Sequence, residues 1–207
     1  MKRVAIVICS QGGQTKKVAD FMAQQISSSG CSAEVFNLTD GQIPGEASLK
    51  HFQSVVIGGP VYFGEFSEQL LDWAGSNCEQ LNRMQSGFFA ISLNAVDRRP
   101  RNRQACERYL RRFISKTDLR PKFVASLAGT VPYTQFGYVK RSILKAMSAV
   151  AGAPTDTSVD HDLTEWVDVA EFTNACLSDD TRSRYAVGNK ARHESESQVM
   201  MGLARTA

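Results

Sequence analysis

Two hydrophobic periods alternate along most of this chain. Strand-length runs, largely apolar, cover residues 4–8, 33–38, 54–59, 87–93 and 123–127. Runs of that length, rich in Val, Ile and Phe and bounded by Gly, Pro or Asn, predict strands buried on both faces. Between them the period changes. Val18, Phe21, Met22 and Ile26 fall on one helical stripe, and Gly30 closes that segment. Phe66, Leu70, Trp73, Ala74, Asn77, Cys78 and Leu81 keep mostly helical spacing and predict a helix over about 67–81. A basic helix is expected over about 102–116, and a last one from Leu163 through Trp166 and Ala170 to Cys176. Residues 39–53 form a turn-rich connection through Pro44 and Gly45, with room for a short helix. Strands alternating with helices predict right-handed crossovers in an α/β three-layer sandwich. Five such strands suit a parallel sheet of order 2-1-3-4-5. In that order a ligand sits beyond the strand C-termini, at the switch between the first and third strands.

Periodicity also marks the domain limits. Residues 1–177 read as one domain carrying an inserted segment at about 130–153, and 178–207 as a polar, loosely ordered C-terminal extension. The insert opens with Val131-Pro132-Tyr133 and Phe136-Gly137-Tyr138. A short helix follows, with Val139, Ile143, Met147 and Val150 on one face, accompanied by Lys140, Arg141 and Lys145. Two readings of residues 136–150 stay open: a helix packed on the body, or one lying at a lipid interface.

Composition narrows the class. At 207 residues and 43% hydrophobic, the chain can bury a sizeable core. Its five cysteines (Cys9, Cys31, Cys78, Cys106, Cys176) form no Cys-x-x-Cys pair, so reduced thiols in a cytoplasmic protein are expected. His51, His161 and His193 lack ligand spacing, and no metal is expected. Lys2 and Arg3 precede only a strand-length apolar run, which argues against a signal peptide, and no run has the length of a spanning helix. Residues 97–122 hold ten Lys/Arg against three acids. That local +7 inside a total of +3 leaves the remainder at −4. One basic face on a mildly acidic body points to an anionic partner. The basic run lacks the interleaved aromatics of a single-strand binder, so no nucleic acid is expected.

Candidate chemistry gathers on three loops. Ser10-Gln11-Gly12-Gly13-Gln14-Thr15 joins the first strand to the first helix, where free backbone N–H groups and the helix dipole favour an anion. Neither the Gly-x-x-x-x-Gly-Lys-Ser/Thr nor the Gly-x-Gly-x-x-Gly pattern is present. The hexapeptide is similar to the phosphate loop of flavodoxins, which needs no lysine. Pro60, Val61, Tyr62, Phe63 and Gly64 follow the third strand, and Ser92, Leu93, Asn94 and Ala95 the fourth. A flat aromatic ring system could lie between these loops against an aromatic face. Arg98, Arg99, Arg101 and Arg103 sit just beyond, suited to bidentate carboxylate recognition.

Over about residues 2–176 the sequence resembles the quinone-dependent protoporphyrinogen IX dehydrogenases, flavodoxin-like enzymes of bacterial haem synthesis. Gly13-Gln14-Thr15, Val55-Val56-Ile57-Gly58 with Tyr62 and Gly64, Ser92-Leu93-Asn94, and Ala128-Gly129 carry the likeness. Its most specific part runs from Tyr133 through Lys145 to Gly152, Thr155-Asp156-Thr157 and Trp166. Gln11 and Gly12 depart from it, standing where flavodoxins often carry hydroxyl residues. The resemblance implies FMN as cofactor, protoporphyrinogen IX as donor and a membrane quinone (menaquinone or ubiquinone) as acceptor. It also implies residence in the cytoplasm at the anionic inner face of the cell membrane. A broad macrocycle with two carboxylate tails wants aromatic surface plus cations, which gives Arg98, Arg99, Arg101, Arg103 and Tyr133 as substrate-facing candidates. No general base stands out, and a homo-oligomer remains open. The rival readings are a flavodoxin-type electron carrier and an FMN-dependent NAD(P)H:quinone reductase.

Overall fold

The computed structural model describes residues 1–178, apart from Gly12, Gln42, Arg98 and Phe136, together with 186–187. Strands β1 (Arg3–Ile8), β2 (Ser32–Asn37), β3 (Ser54–Pro60), β4 (Gln85–Ile91) and β5 (Phe123–Leu127) pair in parallel in the order β2-β1-β3-β4-β5. This is the expected sheet. A two-residue strand, β8 (Ala186–Val187), extends it in parallel beside β5, inside the stretch expected to be a loose extension.

Each buried strand divides its side chains between two layers, because successive residues point to opposite faces. Val4, Ile6 and Ile8 pack with Val18, Met22 and Ile26 of α1 (Gln14–Ser28) and Val169 and Phe172 of α7 (Trp166–Leu177). Ala5, Val7 and Cys9 face Leu70 and Trp73 of α3 (Glu68–Ser76) and Phe113 of α5 (Pro100–Thr117). In that second layer Phe88 stacks on Phe113 with centroids 3.8 Å apart and planes 11° from parallel. Burying a ring of this size contributes about 1.5–3 kcal/mol.

Four local departures from the sequence expectation have identifiable causes. The helix expected over 67–81 is two, α3 and α4 (Cys78–Arg83), because Asn77 leaves helical geometry and its Nδ2 donates to the Trp73 carbonyl at 2.8 Å. The fourth strand ends at Ile91: Ser92 is still extended and carries the ladder one bond further, its N–H to the Leu127 carbonyl (3.0 Å), before Leu93 opens a short 3-10 turn. Past β5 the chain forms an antiparallel ribbon of β6 (Thr130–Val131) and β7 (His161–Asp162). That ribbon delays the last helix to Trp166. It frames the base of the insert, whose helix α6 (Tyr138–Ala151) is where the sequence placed one.

Candidate functional site

Three loops open from one edge of the sheet because the backbone ladder runs one residue past each strand. Cys9 N–H donates to the Gly58 carbonyl (3.3 Å), Val61 N–H to Ile91 (2.8 Å) and Ser92 N–H to Leu127 (3.0 Å). The loops after β1, β3 and β4 are thereby held side by side, at the switch between β1 and β3.

In the first loop the Ser10 peptide is clamped on both sides. Its N–H donates to Asn37 Oδ1 (3.1 Å), while its carbonyl accepts from Asn37 Nδ2 (3.1 Å) and Thr39 Oγ1 (3.0 Å). Ser10 and Thr15 are buried at the base of the loop; Gln11 and Gly13 are exposed at its rim. Gly13 takes φ +80°, a left-handed conformation favouring glycine, and nothing lies within 4 Å of the place a Cβ would occupy. It gives α1 no side-chain cap, and the first turn carries no acid, so this positive helix end is turned toward open space. Gly12 lies outside the described residues.

Gln14 behaves differently from its neighbours. Its Nε2 donates to Thr164 Oγ1 (2.6 Å) and Asp162 Oδ1 (3.2 Å), so it ties the start of α1 to the ribbon. Burial pushes the Asp162 carboxyl up. Hydrogen bonds from Thr164 and Gln14 and the Lys17 charge outweigh it and hold the group below its ordinary range.

After β3, Tyr62 and Glu65 exchange backbone hydrogen bonds of 2.9 and 3.0 Å around Phe63 and Gly64. The turn leaves Phe63 80% exposed and Tyr62 58% exposed, among the largest apolar surfaces the chain shows. Pro60 and Val61 lie below it, half-buried. After β4, Ser92 is buried while Leu93, Asn94 and Ala95 are half-buried. Ser92 Oγ lies 3.7 Å from Cys106 Sγ, whose thiol burial pushes up; this is a packed sulfur, not a nucleophile. Asn94 Nδ2 donates to the Tyr109 hydroxyl at 3.4 Å.

The proposed substrate arginines separate. Arg98 lies outside the described residues. Arg99 Nε pairs with Asp97, and its guanidinium lies over Gly152 at the C-terminus of α6, where a cation suits the helix dipole. The Arg99 peptide N–H at 2.9 Å, its side chain and Asn102 together hold Asp97 below its usual range. Arg99 thus has a local structural task. Arg101 and Arg103 stand exposed on the first turns of α5, Arg103 4.0 Å from Glu107. Tyr133 is wholly buried rather than presented to a cleft, with its hydroxyl donating to the Pro154 carbonyl (2.8 Å) and its carbonyl accepting from Arg141 Nε (3.0 Å).

On α6 the packed side is Leu144, Ser148 and Ala151, while Tyr138, Ile143, Met147 and Val150 are exposed, as is Lys145. The apolar stripe seen in the sequence therefore points outward. Phe136 and the side chains of Val139 and Lys140 lie outside the described residues. No helix among the described residues is long and apolar enough to cross a membrane, and no cluster there could hold a metal ion.

The sequence reading missed two connections: Gln14 to the ribbon, and Glu65 to α5, where it pairs with Arg112 and lies 3.4 Å from Lys116 Nζ. Arg112 and Lys116 are four residues apart on one face, and Glu65 is the acid that closes the aromatic loop. That spacing was the available signal.

Comparison with known proteins gives the same outline. A flavodoxin domain model matches residues 5–158. A protein from Escherichia coli (strain K12) named protoporphyrinogen IX dehydrogenase (quinone) is 28% identical over 171 residues, 82% of this chain and 92% of its own. One of the same name from Leishmania major is 24% identical over 163 residues, 78% of this chain and 69% of its own. Among solved structures, oxidised flavodoxin 1 from Bacillus cereus aligns with TM-score 0.43 and 14% identity, covering 73% of this chain and 97% of that one.

Proposed function

The chain belongs to the flavodoxin domain family, and on that premise we propose that it is an FMN-dependent enzyme that oxidises protoporphyrinogen IX and passes the electrons to a membrane quinone. The observation that carries this reading is the insert after β5, whose helix α6 turns Ile143, Met147 and Val150 outward. An electron carrier that docks only on proteins has no need of that surface, whereas a long-tailed quinone is confined to lipid.

The residues present fit FMN. The open space at Gly13, the uncapped start of α1 and the buried hydroxyl residues Ser10 and Thr15 suit a phosphate. The exposed rings of Tyr62 and Phe63 suit one face of a flavin, with Ser92–Ala95 backbone groups within the same edge of the sheet. Bound there, the flavin would supply the two-electron chemistry, and successive rounds would take the macrocycle to protoporphyrin. The chain itself binds and orients. Arg101 and Arg103 offer cations to the propionate tails. Tyr133 belongs to the buried core of the insert, against which Leu93 of the loop after β4 packs.

The reading places the protein in the cytoplasm at the inner face of the membrane. Reversible attachment is expected, since α6 gives a shallow apolar surface and Lys145 a nearby cation. An anaerobic assay tests the whole. The purified protein with FMN should oxidise protoporphyrinogen when given a menaquinone or ubiquinone analogue, without NADPH. Turnover that requires NADPH would favour a quinone reductase, and no turnover with either donor an electron carrier.

A further inference from the structure

The aromatic turn is held from outside itself. Phe63 sits at φ +52° and Gly64 at φ +86°, so both central positions of the turn are left-handed. Glycine adopts this freely; a Phe does so only where its surroundings over-determine it. Part of that constraint is the pair of backbone bonds between Tyr62 and Glu65. The rest comes from α5. The Glu65 carboxylate pairs with Arg112 through one oxygen and lies 3.4 Å from Lys116 Nζ through the other. Tyr109, one turn earlier, lies beside Gly64 and takes the Asn94 amide bond. One face of α5 thus fastens both the loop after β3 and the loop after β4.

We propose that Glu65 is a positioning residue, holding Tyr62 and Phe63 at the pitch from which they face a flavin ring; this rests on the FMN reading given above. The three ion-pair partners keep 42–51% of their side-chain surface exposed. Solvent therefore screens the pairing, and its effect on global stability is small. What it fixes is the direction of two rings, so its loss registers in flavin binding more than in folding.

The test compares wild type, Glu65→Gln, and the reversal Glu65→Arg with Arg112→Glu, each with and without FMN. In the FMN-free proteins, Glu65→Gln should speed amide hydrogen exchange at Tyr62 and Glu65 while leaving the melting temperature unchanged. On titration its FMN affinity should fall about threefold to tenfold, with less quenching of flavin fluorescence, and the reversal should recover most of both. High salt should weaken wild type toward the Glu65→Gln value. If wild type takes up FMN and Glu65→Gln matches it in affinity, quenching and exchange, the clamp is overturned and the flavin site stands. If wild type takes up no FMN, the flavin reading itself fails and the proposal falls with it.

Discussion

At the scale of single residues, Ser10 and Thr15 carry the sharpest prediction. A hydroxyl donating to an ionised phosphate is worth about 1.5–3 kcal/mol. Ser10→Ala with Thr15→Ala should lower FMN affinity by about a hundredfold to ten-thousandfold, read by fluorescence titration of a variant whose melting curve shows it folded. Unchanged affinity would move the phosphate elsewhere. Arg101→Gln with Arg103→Gln should raise KM for protoporphyrinogen on the order of tenfold and leave FMN content alone, because both side chains stand exposed at the start of α5. Arg99 makes a poorer target: it is paired with Asp97 against the end of α6, and its loss would loosen the insert. The sequence could name these positions because Gly-rich loops and basic runs are local patterns. It could not separate Arg99 from Arg101, nor foresee the burial of Tyr133, because both depend on what the insert folds against. Gln14 read as one more loop residue until the ribbon brought Thr164 and Asp162 to it.

The elements were legible where burial imposes a period. All five long strands and their order follow from apolar runs and strand–helix alternation, and Phe123–Leu127 matches its expected limits. Two-residue strands leave no such trace. Among the described residues β6 and β7 pair only with each other, and β8 lies in a stretch whose composition is polar. The face of α6 was ambiguous for a different reason: a stripe can be read from spacing, but its direction is set by Leu144, Ser148 and Ala151 meeting the body. The ribbon also yields a pH prediction. Asp162 is held below its ordinary range, so its folded form is favoured above the unfolded pKa, and that support is lost as pH falls through the lower folded value. Amide protection across β6 and β7 should therefore decline as pH drops below about 4. Asp162→Asn should remove that dependence, because it cannot titrate. A decline that persists in Asp162→Asn would assign the effect to another group, such as Asp156, whose carboxyl is similarly lowered by its bonds from Ser158.

At the scale of the whole molecule, two surfaces must be brought to the same boundary. The proposed flavin site lies on the loops at the C-terminal edge of the sheet, and α6 belongs to the insert that leaves that edge after β5. The Asn102 amide joins the end of α6 to the start of α5 through the Ala151 carbonyl at 2.7 Å, so the outward apolar stripe and the basic helix are mechanically connected. If lipid is what the stripe meets, its role is separable from the chemistry. Ile143→Asn with Val150→Asn changes exposed positions, so folding and FMN content should be unaffected. Binding to anionic vesicles should fall, because each residue contributes apolar area to a shallow insertion, and raised salt should release wild type as well. Turnover with a long-tailed quinone in vesicles should slow in step with that loss. A short, water-soluble quinone should be reduced at the wild-type rate. Arg141→Glu cannot replace this pair, since Arg141 also holds the Tyr133 carbonyl and would disturb the insert's core. Equal slowing with both quinones would mean that α6 shapes the proposed flavin site rather than the membrane contact.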